Sequence, residues 1–306
     1  MRELQPGLLQ SVVDDRFREA LRCGALQPIE TRMQIIEQDG IRFAVRIATN
    51  LQRKDAARAQ QEEAGRAHGR PVDPFQPPEP ELVVGGLSPT HFCLFNKYNV
   101  LDHHLLIVTR DYEDQETLIS YEDFAALWRC LAEIDGLGFY NAGTTAGASQ
   151  PHKHLQLAPL PPPGPDGIRV PIEAAFADIG ATGIPGEITR ASRLPFRHAL
   201  TALDPELPPE PAAAETLHLY RAMLDVLGIA AVADGPALRQ SQAYNLVMTR
   251  RWLLMVPRAT ERFNGISVNA LNFAGLIFVR TPEQLALLEQ AGPLAALAGV
   301  CSPPAR

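Results

Sequence analysis

Ten consecutive residues, Gly147-Ala148-Ser149-Gln150-Pro151-His152-Lys153-His154-Leu155-Gln156, gather side chains suited to phosphoryl chemistry. Just upstream, Asn141, Gly143, Thr144 and Thr145 extend this into a Gly/Thr/Ser loop. Glycines let such a backbone turn sharply and approach a ligand, while its N–H groups and hydroxyls can donate to phosphate oxygens. The spacing that follows the loop narrows the reading. On a strand, side chains alternate with period two, so His152, His154 and Gln156 share one face and Lys153, Leu155 and Leu157 the other. A row of two imidazoles and a carboxamide makes a poor hydrophobic surface and a plausible reactive one.

Two chemistries use H-x-H on a strand. Metal-dependent hydrolases carry it within H-x-H-x-D-H, but here Gln156 occupies the Asp position and Leu157 the last His position, so no metal site is expected. Nucleophilic catalysis fits better. A neutral imidazole is nucleophilic near pH 7 without a separate base, and it forms a phosphoramidate that a second nucleophile can displace. Lys153, on the back of the strand, is read as a packing or surface ion-pair residue. The adjacent His103 and His104 carry no spacing signal and are left outside the site.

The elements that must hold this row are legible in outline. Residues 8–21 repeat apolar positions at helical spacing and stop at Gly24, and two apolar runs flank Asp39-Gly40 as a β-hairpin. Residues 52–70 are polar on every face, a solvated helix or a flap over the site. Strands are expected at 82–84, 91–96, 104–108, 139–141, 152–157, 243–249, 252–256 and 273–279. Helices are expected at 120–136, where Ser120 and Asp123 form a capping pattern, at 216–227, and after Thr281-Pro282. Strands and helices mix without a βαβ rhythm, which predicts an α+β fold on an antiparallel sheet.

Composition bounds the partners. The 306 residues carry 28 Lys+Arg against 35 Asp+Glu, a net charge of −7, which speaks against a general nucleic-acid surface. With 46% hydrophobic and 21% charged residues the chain can fill a core. No signal-like or membrane-spanning run is read, no obligate protein partner is evident, and a cytoplasmic location is expected. Only three of the 28 basic residues are lysines, Lys54, Lys97 and Lys153, all within segments that carry chemistry.

The run G-A-S-Q-P-H-K-H-L-Q resembles the active-site signature of the diadenosine tetraphosphate phosphorylases (ATP adenylyltransferases), the transferase branch of the histidine-triad superfamily. Further segments resemble that family in the same order: residues 51–55, 73–82, 95–100, 244–258 and 266–275. The resemblance implies a histidine-triad-like antiparallel sheet with flanking helices, with residues 1–175 as an N-terminal catalytic part and 176–306 as a C-terminal part completing one catalytic unit. It implies reversible phosphorolysis of diadenosine tetraphosphate to ATP and ADP. His154 would be the nucleophile that carries AMP, His152 its support, and Gln156 a hydrogen-bond donor to the phosphoryl group. Lys54, Asn96, Lys97, Asn141, Gly147, Ala148, Ser149 and Gln150 match nucleotide or phosphate contacts, as do Asn269, Ala270, Leu271, Leu276 and Arg280 from the C-terminal half.

At two of these positions the chain departs from the family, which often has Met and Lys where Leu276 and Arg280 stand; the Arg changes donor geometry. No tightly bound cofactor is implied, although Mg²⁺ or another divalent cation could accompany the polyphosphate. Two other functions share features of the sequence. A hexose-1-phosphate uridylyltransferase would use the same Gln but commonly reads H-P-H, and a non-catalytic dinucleotide sensor would keep the loop but lose turnover.

Overall fold

The computed structural model describes residues 2–48, 72–162, 167–182 and 184–303. The first helix, α1 (Leu9–Cys23), buries Leu9, Val13, Phe17 and Ala20 along one stripe and stops at Gly24, whose φ of 78° only glycine adopts at no cost. Strands β1 (Thr31–Gln38) and β2 (Ile41–Ala48) pair antiparallel through Asp39 and Gly40, both at positive φ, the turn whose twist matches a hairpin.

The N-terminal part then builds β3 (Val83–Gly86), β4 (His91–Phe95), β5 (Leu105–Thr109), α2 (Tyr121–Glu133), β6 (Gly136–Asn141) and β7 (His154–Pro159). The C-terminal part adds β8 (Ile188–Thr189), β9 (Ala199–Ala202), α3 (Pro209–Val226), β10 (Ala231–Asp234), β11 (Ala237–Gln240), β12 (Tyr244–Met248) and β13 (Trp252–Pro257). Nine of these strands form one antiparallel sheet in the order β3-β4-β5-β7-β6-β12-β13-β9-β8. The β6–β12 ladder, with Asn141 opposite Asn245, joins the two halves of the chain.

Both faces of the sheet are covered, so its central strands read as almost continuous apolar runs. Leu105, Ile107, Leu155, Leu157, Leu246 and Met248 lie in one core with α1, α2 and α3. On the other face Leu137, Phe139, Val247, Leu254 and Val256 share a second core with Phe43 and Val45 of β2. That layer is completed by β14 (Arg262–Phe263), β15 (Ile266–Ser267), α4 (Ala270–Phe273), β16 (Leu276–Val279), α5 (Pro282–Ala291) and α6 (Pro293–Ala298). Strand β16 runs parallel to β2, tying the C-terminal end to the first hairpin.

Local sequence explains most boundaries. Ser120 Oγ accepts from the Asp123 N–H while Asp123 Oδ2 accepts from the Ser120 N–H, the reciprocal box expected for α2. Three expectations are corrected. The strand anticipated at 152–157 spans His154–Pro159, and His152 precedes it in an isolated bridge to Asp114. Helix α3 begins at Pro209, seven residues before the anticipated start, because prolines are tolerated in a first turn that needs no intrahelical N–H. The strand anticipated from residue 273 begins at Leu276; Asn269 caps a short helix, α4, in its place. The proposed flap over 52–70 lies outside the described residues. Among the described residues no helix is long and apolar enough to cross a membrane.

Candidate functional site

The histidine row sits at the centre of the large sheet, between β5 and β6, where a strand is held on both edges. Gln115, from the loop before α2, fixes the strand's entry: its Oε1 accepts from the His154 N–H (2.9 Å), and its Nε2 donates to the carbonyls of Asn141 (2.9 Å) and His154 (3.3 Å). The ring of His154 is set by its own strand. Nδ1 lies 2.7 Å from the carbonyl oxygen of His152. A carbonyl can only accept, so Nδ1 carries the proton and Nε2 keeps the lone pair. The ring is 4% exposed, and burial pushes its pKa down to about 4, against the opposing hydrogen bond that Nδ1–H donates to the His152 carbonyl. At neutral pH His154 is therefore an uncharged imidazole with an unprotonated Nε2.

His152 is built differently. Its Nδ1 lies 2.7 Å from Asp73 Oδ2, and its Nε2 lies 2.9 Å from the Thr109 carbonyl oxygen and 3.0 Å from the Thr109 hydroxyl. Both nitrogens are occupied and the ring is fully buried, so it offers no free lone pair. The ring of Phe75 covers both histidines, with centroids 5.6 Å from His152 and 5.5 Å from His154.

The back of the strand corrects one expectation. Lys153 does face away from the row, but its ion pair is buried, not on the surface. Nζ lies 2.6 Å from Asp123 Oδ2, with the Leu118 carbonyl at 2.9 Å and Glu113 at 3.1 Å. Asp123 also accepts from His91 Nε2 at 3.0 Å. Burial works to raise the Asp123 pKa, but the charge of Lys153 and the bond from His91 overcome it and hold the carboxyl well below the usual range. One carboxylate thus joins the first turn of α2, β4 and the lysine between the two histidines.

His104, read from sequence as one of an uninformative pair, meets the histidine row. Its Nε2 lies 3.0 Å from Gln156 Oε1 and its Nδ1 lies 3.4 Å from Asn96 Nδ2. An Asn N–H donates to Nδ1, so Nε2–H donates to Gln156 Oε1 and its amide nitrogen is left as a donor. His103 instead stacks on Phe17 at 4.0 Å.

The loop and the C-terminal contact stretch also meet. Asn141 Oδ1 accepts from Asn245 Nδ2 (2.8 Å) and from the Ala270 N–H (2.8 Å). Gly147 has φ +91°, and a Cβ there would stand 2.9 Å from both the Val268 carbonyl oxygen and Asn269 Cβ. Ala148 N–H closes the loop onto the Gly143 carbonyl. Ser149 is exposed and Gln150 half-buried at its outer end. Asn269 caps α4, with Leu271 buried behind it. Lys97 lies 2.6 Å from Glu79, next to Asn96. Leu276 and Arg280 belong to the smaller sheet, on β16 and just beyond it. Lys54 lies outside the described residues. Among the described residues no group of three or more His, Cys, Asp or Glu could hold a metal.

Comparison with known proteins identifies the family and the fold. Residues 1–178 match the model of the Ap4A phosphorylase N-terminal domain and residues 192–303 that of the ATP adenylyltransferase C-terminal domain. Two Saccharomyces cerevisiae proteins, Protein APA1 and diadenosine 5',5'''-P1,P4-tetraphosphate phosphorylase 2, are each 24% identical over 303 residues. The alignments cover 91% and 90% of this chain and 88% and 89% of theirs, respectively. The crystal structure of yeast Ap4A phosphorylase Apa2 in complex with Ap4A superimposes with a TM-score of 0.76 at 21% identity, covering 96% of this chain and 97% of that one. The same fold is seen in the Apa2 complex with AMP, at a TM-score of 0.75. The first family model alone spans more than half of the chain and includes the whole histidine row, so the chain belongs to the Ap4A phosphorylase family of nucleotidyltransferases.

Proposed function

We propose that the protein catalyses the reversible phosphorolysis of diadenosine tetraphosphate, with His154 Nε2 as the nucleophile. The observation that carries this is the tautomer: Nδ1 is bound to the His152 carbonyl, and the lone pair sits on Nε2 of a buried, neutral ring. Nε2 attacks the α-phosphorus of one AMP unit, a P–N bond forms, and the bridging P–O bond breaks with release of ATP. An oxygen of inorganic phosphate then attacks the same phosphorus, the P–N bond breaks, and ADP leaves with Nε2 restored.

Neither half-reaction demands a strong acid, because one leaving group is a stabilised polyphosphate and the incoming group is already anionic. Gln156 therefore serves as a non-titrating donor to the phosphoryl oxygens, aimed by His104. Rate enhancement rests on in-line placement and on donors already arranged around developing charge. The loop at 143–150 with Asn141, and the stretch at 269–271, form a cradle whose backbone is fixed by its own hydrogen bonds; Asn96, Lys97, Lys54 and Arg280 add side-chain donors. Residues 1–175 bring the nucleophile and 176–306 complete the cradle. A divalent cation such as Mg²⁺ would arrive with the polyphosphate as part of the substrate. Small nucleotides are the partners, and a cytoplasmic location fits them.

The test is product analysis after incubation with diadenosine tetraphosphate, with and without phosphate. Equal ATP and ADP only in the presence of phosphate is the expected result. ATP and AMP without phosphate would mean hydrolysis, and no cleavage in either condition would overturn the proposal.

A further inference from the structure

Arg258, immediately after β13, is 1% exposed, and its guanidinium meets no carboxylate among the described residues. Its Nε donates to the Val300 carbonyl (3.3 Å), and Nη2 donates to those of Thr260 (2.8 Å) and Glu261 (3.2 Å). Nη1 donates to the carbonyls of Val268 (2.9 Å) and Ala146 (3.5 Å) and to Asn245 Oδ1. The Glu261 carboxylate acts on it through space but is engaged by the Ser267 hydroxyl (2.8 Å) and Arg262 (3.1 Å). A buried cation is costly unless a counter-ion pairs with it, yet among the described residues its hydrogen bonds all go to neutral oxygens, with the Phe273 ring 5.5 Å away and Cys301 alongside.

Its position gives that charge a use. Ala146 ends the turn of the Gly/Thr/Ser loop and Val268 precedes the capped N-terminus of α4, the two strips that touch at Gly147. Asn245, held by Arg258, donates in turn to Asn141 Oδ1 and the Ala146 carbonyl, both at 2.8 Å. The cation therefore stands one residue layer behind the surface proposed to hold polyphosphate. A carboxylate partner would cancel its field there; carbonyl dipoles cancel it only in part.

We infer that Arg258 is a positioning and specificity-determining residue for polyanion binding: its fork pins the two strips in register, and its charge, with no carboxylate in direct contact, favours ligands in proportion to their negative charge. The inference rests on the nucleotide reading given above. It is tested by calorimetric titration of the full chain with adenosine, AMP and ATP, which are neutral, a dianion and a more highly charged anion. Arg258→Met removes charge and fork. Cys301→Asp keeps the fork but sets a carboxylate at the position bridged to Arg258. Melting curves establish that each variant is folded.

Affinity in both variants should fall on the order of three- to tenfold for each added ligand charge, from Coulomb attraction across ~10 Å of partly desolvated protein. ATP then loses most and adenosine is unchanged in Cys301→Asp. Should Arg258→Met not fold, Cys301→Asp decides alone. An equal loss for all three ligands, or an ATP preference that survives neutralisation, overturns the inference. Wild-type protein that binds ATP no better than adenosine overturns the nucleotide reading together with it.

Discussion

The protonation state of His154 offers a sharp prediction. A free imidazole titrates near 6.5, whereas burial takes His154 to about 4. The difference corresponds to ~3 kcal/mol in favour of the neutral ring. The perturbation is pH itself, and diadenosine tetraphosphate suits the measurement because all its phosphates are esterified or bridged and lose no second proton near neutrality. The rate of AMP transfer to the protein is followed without phosphate from pH 8 to pH 4, with an alkaline denaturing quench because phosphoramidates are acid-labile. The expected rate is flat down to about pH 5.5 and falls with its midpoint near 4. A midpoint near 6.5 would refute the argument, since it would mean that the ring is solvated and that its nucleophilicity is not set by burial. The same linkage has a sign for stability. Unfolded His154 takes up a proton at its ordinary value and the folded ring does not, so folding free energy is lost as pH falls from about 6.5 to about 4.

Three substitutions probe the supports. Lys153→Met strands the Asp123 carboxylate with only His91 and its capping bonds, and should cost about 3–5 kcal/mol in urea denaturation; a loss below about 1 kcal/mol contradicts a buried pair. His104→Phe frees Gln156 to rotate, so kcat should fall about 10- to 100-fold with KM nearly constant; an unchanged kcat removes His104 from the site. Gly147→Ala forces a Cβ to 2.9 Å from the Val268 carbonyl oxygen at φ +91° and should raise KM for the dinucleotide about tenfold or more. Gly7→Ala is the control for conformation alone, since its φ of +82° is similar but nothing lies within 4 Å; equal KM changes in both would contradict a role for the loop contact.

What could be read from the sequence was local. Period-two alternation put His152, His154 and Gln156 on one face because it needs only the strand, and the α2 box needed only Ser120 and Asp123. The supports were hidden because they come from far along the chain. Gln115 is 39 residues from His154, His104 is 52 from Gln156, and Asp73 is 79 from His152. Gln115 stands in an acidic, loop-like run, and His104 precedes an apolar strand whose register no local pattern fixes. The alternation also put Lys153 on the back face correctly, but not its burial, because Asp123 looked like a capping residue with no second duty. Arg258 ends a segment that resembles the family, but nothing local gave it a role, for its partners are nearly all backbone carbonyls.

The central claim is covalent transfer through His154, and intact-protein and peptide mass spectrometry tests it most directly. Protein treated with diadenosine tetraphosphate in the absence of phosphate should carry one AMP, mapped to His154, and added phosphate should discharge it as ADP. His154→Asn should carry none and show no turnover. An adduct on another residue, or phosphate-dependent cleavage that persists in His154→Asn, would contradict the account.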